Sequence, residues 1–475
     1  MTPLLNSTQQ VLGSTLESPC KPADVLVTFA EQPGMCALES VCNTGGYGNL
    51  SIIACAPVSR LEVPIVSPSG EPVDALAELA AALERHPPVS ASPAPFAGAW
   101  IGYLPYEAGA VLEGVGRSDG MSGMGPRMYF ALYDSAAVFE HRTRTWHVCA
   151  VDIPESTTGA HERLDRLTTL IRASEDRSAD RAVVAQSVKV ARPVPNMTKD
   201  EYIRKVKRAI RYIEAGDIYQ VNLTQRFMTR IQVDPLALYL RLREANPADY
   251  AAYLRWGDSA VLSSSPELFL DLGPDGRVVT RPIKGTTPRS GNPATDAARR
   301  LALLASEKDR AELNMIIDLL RNDLGKVCEY GSVRVRKAGE VETHPTVLHL
   351  VATIEGRLRA EVSPIDLLRA SFPGGSITGC PKIRAMQIIN QLEPTPRGVY
   401  CGSIGYIGLD GRMSFNIAIR TMVCEAGSVR IHAGGAITAD SDPEAEYREV
   451  LAKAEGMFRA VGHSTRDLLG ADLPW

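Results

Sequence analysis

IYQVNLTQRF, residues 218–227, changes character with every residue. Tyr219, Val221 and Leu223 fall on one side of an extended chain, and Gln220, Asn222 and Thr224 on the other, because successive side chains of a strand face opposite ways. The pattern predicts a strand with one packed face and one polar face that can line a site. Just upstream the period changes. Thr198 and Glu201 fit a capping box, each side chain answering the other's backbone N–H. Tyr202, Val206, Ala209, Ile210 and Ile213 then recur at helical spacing until Gly216 stops the helix. Other helices and strand runs follow without a regular βαβ series, which points to α+β, or a β-sandwich with outer helices.

The whole chain sets bounds on this reading. Its 475 residues exceed one ordinary core, so two or three domains or one large intertwined unit are expected. With 45% hydrophobic and 22% charged residues it has the composition of a soluble globular enzyme. A net charge of -4 argues against a nucleic-acid partner or an anionic membrane surface. The cysteine count, 9, is odd and no C-x-x-C occurs, so a disulfide framework or zinc ribbon is not expected and a reducing cytoplasm is. MTPLLNSTQQ lacks the charged start and apolar run of a signal peptide. No run of about 20 apolar residues is present to span a membrane.

Residues 1–155 read as an N-terminal α/β region of short strand-like runs, such as LSIIACAP, AGAWIGYLPYEAG and YFALYDSAAVFEH. GVGRSDGMSGMGP (114–126) has the composition of a mobile loop. A helix is expected at about 159–174, and the span 156–196 serves as helix and linker. Two later helices stand out. SEKDRAELNMIIDLLR (306–321) has a serine cap and places Leu313, Ile316, Ile317 and Leu320 on one face. DPEAEYREVLAKAEGMFRA (442–460) opens Asp-Pro, with proline at the favoured first position, and carries a stripe of Tyr447, Val450, Leu451, Ala454, Met457 and Phe458.

Each of these helices bears carboxylates three residues apart beside its stripe: Asp309 with Glu312, and Glu446 with Glu449. Two such pairs could hold magnesium, which prefers oxygen ligands. Taken alone, the spacing favours a plainer reading, with Glu449 paired to Lys453 and the acids solvated. In SFPGGSITGCPK (371–382), Gly374 and Gly379 are spaced as in a phosphate loop, but Cys380-Pro381-Lys382 stand where that loop needs Lys-Ser/Thr. What remains is a Gly-rich turn entering a helix, either an anion cradle or a structural turn. YCGSIGYIGLDGRMSFNIAIRTM (400–422) reads as two strands joined at Leu-Asp-Gly-Arg. Arg420 there lies among apolar residues, where a bound carboxylate would balance it. Gly434-Gly435 exposes backbone ahead of the Glu446 helix, and His349 lies on an apolar strand as a core residue would.

TRPIKGTTPR (280–289) puts Lys284 at a strand end. If 267–271 and 278–284 form a hairpin, Glu267 comes beside it. A desolvated amine with a proton partner can act as a nucleophile, although a lone lysine is ordinarily a surface charge.

Taken together, PIKGT, SPE, RAE followed by DLLRNDLGKV, FPGGSITGCPK, CGSIGYIG, IAIRT and DPEAEYRE resemble the chorismate-utilising enzymes in order and spacing. That family includes anthranilate synthase component I, aminodeoxychorismate synthase component I and the isochorismate and salicylate synthases. The resemblance is strong over 197–462 and weaker at CALES and GGYGNLSIIACAP. It implies an α+β, anthranilate synthase component I-like fold, with intertwined antiparallel β-sheets forming a β-sandwich core and outer helices. It also implies a chorismate-binding catalytic domain over 197–465.

Within the family, lysine in PIKGT separates aminodeoxychorismate synthases from anthranilate synthases, which carry PIAGT. The resemblance therefore implies that Lys284 attacks C2 of chorismate and that ammonia then enters at C4, with Glu267 as general acid/base. It implies magnesium on Glu312 and Glu449, with Glu446 and Asp309 binding through water. It places Thr286, Gly285, Tyr400, Arg420, Gly434, Gly435, Lys382 and His349 around the substrate. Gln220 stands where water-activating relatives carry a lysine base. Ser40, Tyr47, Asn49, Leu50, Asp249 and Tyr250 stand in the region that binds tryptophan in relatives, with Asn49 replacing a typical arginine. Nothing resembles the cysteine elbow of a glutaminase, so ammonia is expected from free ammonium or a separate glutamine amidotransferase subunit.

Overall fold

The structure, a computed structural model, describes residues 10–42, 48–86, 89, 94–115, 125–175 and 191–469. Among these the strands form one sheet of 12 and one of 10. All the pairings that build the two sheets are antiparallel. Both sheets draw strands from both ends of the chain. In the larger, Cys36–Glu39 pairs with Tyr250–Trp256, setting Leu38 opposite Ala252. In the smaller, Ala99–Leu104 pairs with Ser403–Gly408, setting Gly102 opposite Gly405. This is the intertwined α+β architecture, and a large apolar cluster and a smaller second one each run through both regions. Phe130 and Phe415, far apart in sequence, meet in it edge to face at 6.2 Å.

The alternating stretch forms the strand Gln220–Arg230. It pairs with Ser428–Ile437 on one side, and with Gly379–Cys380 and Val194–Pro195 on the other. Two details differ from expectation. Tyr219 precedes the first ladder pair and is 73% exposed. The polar face is as buried as the apolar one, because other segments answer its groups. Asn222 Nδ2 donates to the Ser376 carbonyl at 3.0 Å, and the Thr224 N–H donates to Glu393 at 2.9 Å.

The helices follow their caps. Lys199–Glu214 opens with the Thr198/Glu201 capping box and ends before Gly216. Glu307–Gly325 opens at Ser306 and runs four residues beyond the expected end. Pro443–Ala460 opens at Asp442, whose carboxylate accepts the Ala445 N–H at 2.8 Å. Every residue named for the two later stripes is buried. The expected helix near 159–174 is Ala160–Ala173. YFALYDSAAVFEH holds two strands, Arg127–Tyr133 and Ser135–Glu140, which belong to different sheets. The chain changes sheet at Asp134, buried under the Ser156 hydroxyl at 2.8 Å and Arg163 at 3.3 Å. Most of the 114–126 loop and much of the linker lie outside the described residues. All nine cysteines are free. No helix among the described residues is long and apolar enough to cross a membrane.

Candidate active site

The hairpin of Leu268–Leu272 and Arg277–Arg281 forms as expected, with Leu268 opposite Arg281. Lys284 is not in it. Pro282 cannot donate to a ladder, and Lys284 lies on the next strand, Ile283–Pro288, which pairs with Val347–Arg357. Between Ile283↔Val351 and Thr286↔His349 the register shifts. Such a bulge re-aims the side chains it contains, here Lys284 and Gly285. Gly285 has φ +76°, in the left-handed region that favours glycine, and a Cβ there would lie 3.0 Å from Asp309 Oδ1. The glycine thus lets the strand pass close to the Glu307–Gly325 helix while Lys284 turns inward.

Lys284 is 9% exposed, with Nζ 3.9 Å from Glu312 Oε2. Burial lowers its pKa, and Glu312, Glu267 and Glu449 only partly oppose that. Glu267 is buried and titrates at about 7, because desolvation outweighs the Ser376 hydroxyl, Lys284, the Ile283 N–H and Arg420, which all favour its charged form. The two residues are therefore matched: an amine pushed toward neutrality beside a carboxyl that holds a proton near pH 7. Arg420, half-buried and lowered to about 10 by desolvation, faces the same space and donates to Asn246 Oδ1 at 3.2 Å. Thr286 Oγ1 and His349 Nδ1 share a hydrogen bond of 2.8 Å. His349 Nε2 is buried without a partner among the described residues, and burial holds the ring neutral.

Of the four acids, Glu312 and Glu449 act on Lys284, Asp309 adjoins Gly285, and Glu446 stands with Glu449 beside Gly435. Gly435 would bring a Cβ to 3.1 Å from Glu446 Oε2 and 3.5 Å from Glu449 Oε1, so its lack of a side chain is what admits both. Glu446 Oε1 accepts the Ser441 hydroxyl at 2.6 Å, and its Oε2 is buried without a partner among the described residues. Burial raises the pKa of Glu446 and of Glu312. The plainer reading of Glu449 also holds here: Lys453 Nζ lies 2.6 Å from it and donates to the Gly434 carbonyl at 3.1 Å. Among the described residues no three His, Cys, Asp or Glu side chains stand close enough to enclose a metal. The donors are nonetheless all carboxylate oxygens, the ligand type that magnesium takes, and burial leaves Glu312 and Glu446 short of positive charge.

Two expected substrate residues are held elsewhere. Lys382 Nζ donates to Asp323 at 2.7 Å and to the Ser371 carbonyl at 3.1 Å. Tyr400 is buried with its ring stacked on His432 at 5.2 Å. Gln220 is buried with both ends of its amide unpartnered among the described residues. In the N-terminal region, Ser40, Gly48 and Asp249 adjoin. The Ser40 hydroxyl donates to the Gly48 carbonyl. Asn49 is spent on Glu140 at 3.1 Å and the Arg142 N–H at 3.0 Å. Leu50 begins a strand and Tyr250 another, while Tyr47 lies outside the described residues. Sequence reasoning missed Ser376 on Glu267 and the buried Arg397–Glu393 pair at 2.7 Å. No helical spacing marks that pair, because the helix ends at Leu392 and Pro394 and Pro396 stand between its members.

Burying this many ionisable groups against one another is costly and is found where chemistry needs shifted proton affinities; the class defined is an enzyme. Residues 41–459 match the model of the chorismate binding enzyme family. The chain is 40% identical over 437 residues to an anthranilate synthase component 1 of Streptomyces coelicolor, covering 89% of this chain and 83% of that protein. It is 42% identical over 368 residues to an aminodeoxychorismate synthase component 1 of Klebsiella aerogenes, covering 77% and 78%. It spans about half the length of some other curated relatives. The crystal structure of anthranilate synthase component I from Streptococcus pneumoniae superposes with a TM-score of 0.74 at 32% identity, covering 86% of this chain and 92% of that one. The chain belongs to the family of chorismate binding enzymes.

Proposed function

We propose that this protein is the chorismate-aminating component of an aminodeoxychorismate synthase. It converts chorismate and ammonia to 4-amino-4-deoxychorismate and water, on the route to 4-aminobenzoate and folate. The observation that carries this reading is Lys284, a buried amine turned by a strand bulge toward Glu267 and Glu312. An exposed lysine would stay protonated and have no lone pair to offer.

The neutral Nζ bonds to C2 of chorismate, both ring double bonds shift (C1=C2 to C1=C6 and C5=C6 to C4=C5), and the C4–O bond breaks. Glu267 gives its proton to the departing hydroxyl, which leaves as water. Ammonia then bonds to C4, both double bonds shift back, and the C2–Nζ bond breaks. The proton shed by the incoming nitrogen returns to Glu267. Arg420, Thr286, Gly285, Gly434 and Gly435 shape the space for the anionic substrate. His349 supports it through Thr286, while Tyr400 and Lys382 brace the surrounding fold on His432 and Asp323. Glu312, Glu449, Glu446 and Asp309 would hold magnesium, which would neutralise a carboxylate of chorismate. A separate glutamine amidotransferase subunit supplies the ammonia, and the nine free cysteines suit a reducing cytoplasm. The Ser40 cluster is where relatives bind tryptophan; with Ser40 and Asn49 already satisfied internally, no tryptophan dependence is part of the proposal.

The second reading is anthranilate synthase component I, favoured by the extent of the match to the Streptomyces coelicolor protein. Intact-protein mass spectrometry separates them. Chorismate without ammonia should leave an adduct of chorismate less water on the wild type and none on Lys284→Ala. An enzyme that turns chorismate over yet never shows the adduct would remove the covalent step.

A further inference from the structure

Arg397 touches none of the reacting groups, yet it is 3% exposed and every guanidinium nitrogen is engaged. Nε donates to Glu393 at 2.9 Å, Nη1 to the Ile377 carbonyl at 2.9 Å, and Nη2 to Glu393 at 2.7 Å and the Asn222 carbonyl at 2.9 Å. Its plane lies over the Tyr106 ring at 4.6 Å. From the N-terminal region, Glu107 accepts the backbone N–H of Arg397 at 2.7 Å and of Gly398 at 3.1 Å.

These bonds converge on the turn 374–378. Asn222, whose carbonyl Arg397 holds, donates Nδ2 to the Ser376 carbonyl at 3.0 Å, and its N–H donates to the Thr378 carbonyl at 2.8 Å. The Thr378 hydroxyl closes the turn onto the Gly374 carbonyl at 3.1 Å. At Gly374 the turn lies against Ile417 and Phe269, Ile417 N–H donates to the Glu267 carbonyl at 3.1 Å, and Ser376 in the turn favours the charged form of the Glu267 carboxyl. A core needs no buried guanidinium, and apolar side chains would fill the space at less cost. What the planar fork adds is the reach to three segments at once in fixed directions.

We propose that Arg397 is a positioning residue: it locks the 374–378 turn to the Gln220–Arg230 strand and, through Ser376, fixes the carboxyl of Glu267. Glu107 carries the lock into the N-terminal region. The inference rests on Glu267 acting as the acid/base of the proposed reaction.

A double-mutant cycle tests it. Arg397→Lys, Ser376→Ala and the double variant are assayed with chorismate, magnesium and ammonium across pH. Arg397→Lys should lower kcat by about 10- to 100-fold with KM changed less than about threefold, the pattern of a misplaced catalytic group. The double variant should fall no more than about twofold below the weaker single, and the pH limb set by Glu267 should move in both singles and no further in the double. A double variant showing the product of the two losses would overturn the proposal, as would wild-type kcat in Arg397→Lys. If Arg397→Lys fails to fold, Asn222→Ala replaces it, since it removes the donor to Ser376 and leaves the guanidinium in place; additivity with Ser376→Ala would again overturn the proposal. Absence of chorismate turnover in the wild type would overturn the Glu267 reading itself, whereas turnover with an additive cycle would overturn only the role of Arg397.

Discussion

Glu267 titrates near neutrality because burial penalises its carboxylate more than Ser376, Lys284 and Arg420 favour it. Its pKa of about 7 in the fold stands against an ordinary glutamate value of 4.5. Between those values the folded protein keeps a proton that the unfolded chain releases. Stability therefore falls as pH rises through this window, and the loss is complete above about pH 7. Glu267→Gln removes the penalty. Thermal melts should show the variant more stable than wild type at pH 8, by roughly 2–3 kcal/mol, and nearly equal to it at pH 4. Chorismate turnover should meanwhile drop by about 10²- to 10⁴-fold. A variant less stable than wild type at pH 8 would mean that Glu267 is held for structure. Lys284 was legible by its family position but not from its neighbours. The sequence around it gives a hairpin, whereas its inward turn comes from the bulge opposite His349 and the glycine beside Asp309.

At the scale of elements, both acidic helices were readable from caps and spacing. Their mutual approach was not, because it depends on Gly435 and Gly285 letting strands pass close to helix carboxylates. The pair Glu449–Lys453 sets up a competition on the Pro443–Ala460 helix. Its side chains are 49% and 44% exposed, so solvent screens the pair and its worth is about 0.2–1 kcal/mol. Lys453→Met should accordingly tighten magnesium about two- to fivefold in titration calorimetry. Unchanged or weaker binding would take Glu449 out of the metal set. Chelation of magnesium should stop turnover, and readdition should restore it. The sheet change at Asp134 was invisible for a related reason. Apolar residues run on both sides of Asp134 in YFALYDSAAVFEH, and the distant Ser156 and Arg163 mark the switch.

Across the whole molecule, fold class was legible from many short strands and capped helices, whereas strand order was not. Pairings such as Leu38 with Ala252 and Gly102 with Gly405 join positions far apart in the chain, and no local pattern records them. The two seams make the N-terminal strands part of both sheets. A fragment beginning at residue 191 should therefore expose unpaired edges and aggregate, while co-expression with residues 1–190 should rescue solubility. Phe130→Ala, cut from the shared core, should cost about 3–5 kcal/mol and lower one common unfolding transition followed by both near-UV and far-UV circular dichroism. Two separate transitions would show that the regions fold apart. The central claim concerns the product. Purified protein given chorismate, magnesium and ammonium is predicted to accumulate 4-amino-4-deoxychorismate, which an added aminodeoxychorismate lyase turns into 4-aminobenzoate. Fluorescent anthranilate formed without any lyase would contradict it.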